Sequence, residues 1–226
     1  MLDPGAAGRS AAPHAVASVS SEFFRTTFEI MGYVAKSDGR VSEAEIDAAR
    51  RLMRELSLSA ADISAAIACF RTGKSAGYDA ELSIERLREA CGLRYDLLRA
   101  FVDLQLRAAL AGNGISPPVR RILMGIAERL GLSGLEFANM EASLRARHNS
   151  AQGKSANLAE CYAELEVDAS IGDQELVKAY RRQMSRHHPD KLVANGLPES
   201  MTQMAKEKTQ RIQEAYEAIR AARGMR

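Results

Sequence analysis

Apolar residues recur every three or four positions along most of the chain, which is the spacing of one buried face on an α-helix. The first such stripe begins at about Ser20 and consists of Phe23, Phe24, Thr27, Phe28, Met31 and Val34. Its polar side is not basic, which favours a core helix over a helix lying on a membrane surface. Further helices are predicted at about residues 46–56, 60–70, 82–91, 93–111 and 136–147. The long, apolar segment 93–111 is predicted to be the central buried helix.

The front of the chain contains an internal repeat, in which residues 38–59 align without a gap to residues 112–133. Each copy has a polar turn, a capped helix and a Leu-x-Leu-Ser exit. In the first copy, Ser42 with Glu45 three residues later forms a capping-box pattern at the start of a helix. Two such copies with helices between them predict a duplicated helical bundle.

A basic helix and a proline-containing turn dominate the last third of the sequence. One face of this helix carries Leu176, Ala179, Tyr180, Gln183 and His187, and its other faces carry the cations Lys178, Arg181, Arg182 and Arg186. Pro189 cannot continue the helix and biases His188 away from helical backbone angles. The turn should therefore hold His188 and Asp190 rigidly at the surface, with His187 packed under the helix end.

These patterns predict an all-α protein in four segments. Residues 1–19 are small and polar and are predicted to be disordered or a linker, and residues 20–148 form the duplicated helical bundle. A second polar linker at 149–157 precedes a small domain at 158–226. In that domain a loop at about 191–198 leads to a final helix at about 201–221, which is predicted to pack antiparallel to the basic helix.

Composition narrows the functional class. A net charge of +2 lacks the strong basic excess of a nucleic-acid binder. The three cysteines, Cys69, Cys91 and Cys161, are dispersed, which is typical of free thiols in a reducing compartment. No apolar run approaches the ~18 residues of a membrane span, and no signal peptide opens the chain, so a cytoplasmic location is expected. No catalytic triad, phosphate-binding loop or carboxylate pair stands out, which predicts neither an enzyme nor a cofactor.

The last third resembles a J-domain. The resemblance rests on His188-Pro189-Asp190 after the basic helix, on Tyr162 and Leu165 ahead of it, and on Ile-Gln-Glu-Ala-Tyr at 212–216. J-domains are co-chaperone modules that act on ATPase chaperones of the DnaK class. The resemblance implies that Lys178, Arg181, Arg182 and Arg186 dock on an acidic surface of that chaperone. It also implies that His188, Pro189 and Asp190 contact the hinge between the chaperone's two domains.

The front segment is similar to the TerB (tellurite-resistance B) fold through Lys-Ser-Asp-Gly-Arg-Val-Ser-Glu-Ala-Glu at 36–45, echoed about seventy residues later. A TerB-like domain followed by a J-domain resembles the DjlA-like family of DnaJ-type co-chaperones. The resemblance implies that the front domain recruits clients or partners, and it leaves a homodimer open. Family members are often anchored at the inner membrane facing the cytoplasm, so this chain is expected either to be soluble or to have lost its anchor.

Two positions depart from the J-domain pattern. Gln183 stands where leucine is common, and Thr209 stands where an aromatic residue is frequent. A glutamine facing the core would need hydrogen-bond partners. We therefore expect Gln183 at the rim of the helix pair, with Met184 taking part of its packing role.

An acidic cluster in the front segment, Asp38, Glu43 and Glu45, is a weak candidate for a metal site. Hard cations such as calcium need six or more oxygen ligands, and the second copy of the repeat lacks the cluster. The alternative function is accordingly a TerB-type protein for stress or metal sensing whose J-like tail is vestigial. Stimulation of a DnaK-class ATPase separates the two hypotheses.

Overall fold

A computed structural model of the protein describes residues 13–37, 43–112, 114–150 and 158–225. Within these ranges all regular secondary structure is helical, which confirms the all-α prediction. The fold has two parts of unequal length. The longer N-terminal part (the front half) comprises α1 (Pro13–Lys36), α2 (Glu43–Glu55), α3 (Ala60–Gly73), α4 (Ala80–Cys91), α5 (Tyr95–Ala111), α6 (Pro117–Arg129) and α7 (Gly134–Ser150). The shorter C-terminal part (the C-terminal half) comprises α8 (Leu158–Glu164), α9 (Asp173–His187), α10 (Pro189–Ala194), a 3₁₀ turn (Glu199–Met201) and α11 (Thr202–Arg223).

Two boundaries differ from the sequence prediction. Helix α1 begins at Pro13, so residues 13–19 are helical rather than disordered. Proline suits a first helical position, where its missing N–H is not needed. Val19 is buried against the C-terminal half, where a Cβ added at Gly196 would lie 2.5 Å from Val19 Cγ1. The predicted loop at 191–198 instead contains most of α10, because Pro189 starts a helix as readily as it ends one.

The core of the front half is built around α5 and α1, as the sequence predicts for α5. Every residue from Leu97 to Leu106 is buried. The rings of Phe101 on α5 and Phe23 on α1 meet edge to face, with centroids 5.9 Å apart. Such a pair contributes roughly 0.5–1.5 kcal/mol beyond the burial of its apolar area.

The duplication is visible in the backbone of the two Leu-x-Leu-Ser exits. Ser57 and Gly131 hold equivalent positions, and both have the left-handed angles (φ 55° and 86°) that terminate a helix. In each exit the next residue, Leu58 or Leu132, is buried and donates its N–H to a carbonyl five residues earlier. The serine that follows then caps α3 or α7. The sequence repeat is therefore a structural repeat.

The C-terminal half is an antiparallel helix pair covered by a short third helix, as predicted. Leu176 of α9 and Ile212 of α11 are fully buried in its core, and Tyr180 stacks on Tyr216 with ring centroids 4.2 Å apart. Arg223, at the end of α11, reaches the start of α9, where its Nη1 donates to Asp173 Oδ1 at 2.9 Å. Its remaining donors bond the Tyr162 hydroxyl and two loop carbonyls, which fixes the open end of the pair.

Gln183 is fully buried, so the prediction of a rim position is wrong. The helical phase set by Leu176 and Ala179 places Gln183 on the same inward face, beneath the end of α8. Its Nε2 donates a long bond of 3.4 Å to the Leu165 carbonyl, and its Oε1 has no hydrogen-bond partner among the described residues. Met184 is only partly buried beside it.

The two halves pack directly on each other. Leu192 and Leu197, around the end of α10, and Met201, Met204 and Ala205, near the start of α11, join the same apolar cluster as α1 and α5. This contact fixes α10, and with it the turn at His188, against the front half. Among the described helices, none has both the length and the apolarity needed to cross a bilayer.

Candidate partner-binding site

The turn after the basic helix presents its polar groups to solvent. Helix α9 ends at His187, and His188 takes up extended angles (φ −60°, ψ 123°) before Pro189 opens α10. The His188 Nδ1 accepts the Asp190 N–H at 3.2 Å, which caps α10. His188 and Asp190 are exposed and Pro189 is half-buried. The geometry leaves the Asp190 carboxylate free to meet another molecule on a backbone that cannot readily rotate.

The cations of α9 fall into two groups. Lys178, Arg181 and Arg182 lie on the exposed face, where Lys178 pairs with Glu175 at 2.7 Å on the same helix. Within the described part of the chain, Arg181 and Arg182 form no ion pair. Arg186, in the last turn, is partly covered and faces the front half. The freely accessible positive charge is therefore in the middle turns of the helix, whereas its first turn carries the acids Asp173 and Glu175.

One carboxylate of the front half binds both cations that flank the turn. Asp96, at the start of α5, lies 2.6 Å from Lys191 Nζ and 3.8 Å from Arg186 Nε. Arg186 also lies 3.6 Å from Glu166 in the loop after α8. The side chain of Asp96 is 17% exposed, so this bridge is partly screened from solvent. The position of the turn thus depends on the front half as well as on α9.

A buried charge network continues behind this bridge. Arg99 of α5, 2% exposed, pairs with Glu166 across the two halves and with Glu136 of α7 at 3.2 Å. Burial acts to raise the pKa of Glu136, but hydrogen bonds from the Ser133 N–H and the Tyr95 hydroxyl outweigh it and hold that pKa at about 2. Removing one partner of a buried ion pair is strongly destabilising, because the other charge is left uncompensated. The pair between Arg99 and Glu166 therefore holds the two halves in one arrangement.

His187 is packed under the end of α9, as the sequence predicts. It lies beside Lys208, Asp103 and Arg107, and its Nε2 has no hydrogen-bond partner in the described ranges. Burial lowers the pKa of His187 well below its usual value, and the neighbouring cations lower it further. The imidazole is therefore neutral at pH 7 and serves as a packed side chain.

The candidate metal cluster cannot be placed. Asp38 lies outside the described residues, and the side chains of Glu43 and Glu45 are also outside them. The metal site therefore stays a prediction from the sequence.

Sequence reasoning missed the residues that tie the turn to the front half, namely Asp96 and Arg99 on the front half and Glu166 and Lys191 on the C-terminal half. Lys191 follows the His-Pro-Asp sequence directly and could have been assigned from that adjacency. Asp96 lies 95 residues before Lys191, and no local pattern links the two.

Comparison with known proteins identifies the family of each half. The model of the DnaJ domain matches residues 160–223, and that of tellurite resistance protein TerB matches residues 26–142. The chain is 41% identical over 215 residues to co-chaperone protein DjlA of Coxiella burnetii, covering 92% of this chain and 80% of the relative. It is 39% identical over 221 residues to the Escherichia coli K12 protein of the same name, covering 90% and 80%. No solved structure matches the chain.

The chain is thus a J-domain protein whose front half is a TerB domain. At about 40% identity over most of both lengths, it belongs to the DjlA family of co-chaperones. These matches indicate no enzyme family.

Proposed function

We propose that this protein stimulates ATP hydrolysis by a DnaK-class chaperone through His188, Pro189 and Asp190, with the basic helix as the docking surface. The observation that supports this most directly is the exposed Asp190 carboxylate on a proline-fixed turn at the end of a cationic helix. J-domain co-chaperones partner with DnaK-class chaperones, and the chain's C-terminal half matches the DnaJ domain.

The cations would bring the two proteins together. Lys178, Arg181 and Arg182 face solvent along one side of α9, where a complementary acidic surface can approach them. Clustered charges of this kind accelerate encounter and fix orientation more than they add to affinity. Arg186 would contribute less on the free protein, because Asp96 and Glu166 already surround it.

The turn would carry the activating contact. A carboxylate held on a rigid backbone can accept a charge-assisted, bidentate hydrogen bond from an arginine of the partner. If that bond forms only in the hydrolysis-competent state, it shifts the partner's population toward that state. The chain itself would supply no catalytic group, and the TerB domain would recruit clients or partners.

The test is ATP turnover by a DnaK-class chaperone in the presence of this chain and of Asp190→Asn. The substitution preserves the size of the side chain and its position, and it removes the negative charge, so stimulation should be lost while the fold persists. The matched control is Asp47→Asn, which neutralises an exposed carboxylate on α2 that pairs only weakly with Arg50. Equal stimulation by wild type and Asp190→Asn would rule the proposal out, and no stimulation by wild type would favour the vestigial-tail alternative.

A further inference from the structure

A groove separates α2 from α3 on the front half. Helix α3 packs closely on α1, where a Cβ added at Gly73 would lie 1.7 Å from the Glu29 carbonyl oxygen. Helix α2 instead packs mainly on α5, to whose end it is tied by a 2.7 Å bond from Arg51 Nη2 to the Ala111 carbonyl. Because the two helices rest on different neighbours, a volume of about 330 Å³ stays open between them.

The floor of this groove is apolar and lies below the surrounding surface. Met53 of α2 and Phe70 of α3 form it together with Ile67, and Met53 and Phe70 are only 2% and 9% exposed. Its volume is at the lower end of the range of roughly 300–1,000 Å³ found for ligand sites. A single bulky side chain projecting from a partner can reach such a floor. A flat bilayer surface cannot.

The rim of the groove is cationic. Arg50, Arg71 and Lys74 line it, and no carboxylate is among the described residues that do so. Within those residues Arg71 and Lys74 form no ion pair, and Lys74 Nζ lies 5.8 Å from the centroid of the Phe70 ring. Arg50 pairs with the exposed Asp47 at 3.4 Å, a contact that contributes little in water. The groove thus offers three cations around one apolar depression.

We propose that this groove binds an acidic peptide segment of a partner protein, with one large apolar side chain in the floor and carboxylates against the rim. The proposal deepens the recruiting role proposed above for the TerB domain, and it rests on that role. Its ligand class follows from charge complementarity, because the described residues that line the groove include three cations and no carboxylate. Binding should weaken with salt, since the rim charges are exposed.

The test is fluorescence anisotropy with the full chain and a short fluorescein-labelled peptide of Asp and Glu residues around one Phe. Two further peptides replace the acids by lysine or the Phe by serine. The acidic peptide should bind, and each replacement should weaken binding by about tenfold or more, equivalent to about 1.4 kcal/mol. The double variant Arg71→Glu with Lys74→Glu should bind the acidic peptide more weakly by a similar factor.

The matched control is the double variant Arg86→Glu with Arg88→Glu on α4, which also reverses two exposed charges. Arg88 lies in the last turn of α4, just as Arg71 lies in the last turn of α3. This control should retain binding within about twofold. Equal binding of the acidic and lysine peptides, or equal loss in both double variants, would overturn the proposal. Binding of anionic phosphatidylglycerol vesicles but of no peptide would overturn it as well. The assay contains no chaperone, so its outcome is independent of ATPase stimulation.

Discussion

Replacing Gln183 by leucine should stabilise the protein, because the glutamine is buried without adequate partners. Its Oε1 accepts no hydrogen bond among the described residues, and its only bond is the long one of 3.4 Å to the Leu165 carbonyl. Removing an unsatisfied buried polar group recovers about 1–3 kcal/mol, and losing one weak hydrogen bond costs about 0.5–1 kcal/mol. Leucine has a similar volume, so the net gain in the free energy of unfolding should be about 1 kcal/mol.

The measurement is urea unfolding followed by far-UV circular dichroism, supported by the melting temperature. For a chain of this size, 1 kcal/mol corresponds to a rise of roughly 2–4 °C. The matched control is Gln105→Leu on α5. Gln105 is also buried, but its Nε2 donates a shorter bond of 3.0 Å to the Thr27 carbonyl. This control should destabilise the protein, because a good hydrogen bond of a buried amide is lost.

A decrease in stability for Gln183→Leu comparable to that of the control would refute the reasoning. It would mean that a buried water satisfies Oε1 and that the glutamine is bonded as well as Gln105. ATPase stimulation should be unchanged by Gln183→Leu, since the residue does not reach the surface.

Two further predictions concern Asp96 and His187. Asp96→Asn should lower the half-maximal concentration for ATPase stimulation by about two- to fivefold at low salt, because the charge of Lys191 becomes available to the partner while apolar contacts keep α10 docked. Arg186 should contribute less to this gain, since it keeps its pair with Glu166. The control is Glu81→Gln, which breaks the exposed pair with Arg129, and an unchanged or higher half-maximal concentration for Asp96→Asn would contradict the prediction. Burial lowers the pKa of His187 in the folded state, whereas the unfolded chain has the usual pKa of about 6.5. Below pH 6.5 the unfolded state therefore binds more protons than the folded state, and the free energy of unfolding decreases as the pH falls. Between pH 7.5 and 5.5 the free energy of unfolding should therefore fall further for the wild type than for His187→Gln in urea unfolding. Parallel losses for the two proteins would show that the imidazole is protonated in the fold.

The sequence predicts well the features that depend on residues close together in the chain. The turn at His188 follows from one proline, the face of α9 follows from its helical phase, and the repeat follows from two matching exits. The helical phase of α9 places the Gln183 side chain on the inward face, beside Leu176. The rim was predicted instead because a buried amide is expected to have hydrogen-bond partners. The physical reason for the miss is that packing of α8 and α11 on that face outweighs one unsatisfied oxygen.

Contacts between distant segments could not be predicted in this way. Helix α10 was missed because Pro189 was interpreted only as a helix stop, although the His188 side chain also caps the helix that follows. The docking of α10 on the front half depends on the packing of two separate segments around a shared core. The bridge from Asp96 to Lys191 exists only once that docking has occurred.

The most direct test of the account is the single-turnover rate of ATP hydrolysis by a DnaK-class chaperone at saturating concentrations of this chain. Wild type should accelerate hydrolysis, and Asp190→Asn, folded and equally stable, should leave the rate at its basal value. Acceleration by Asp190→Asn equal to that by wild type would contradict it.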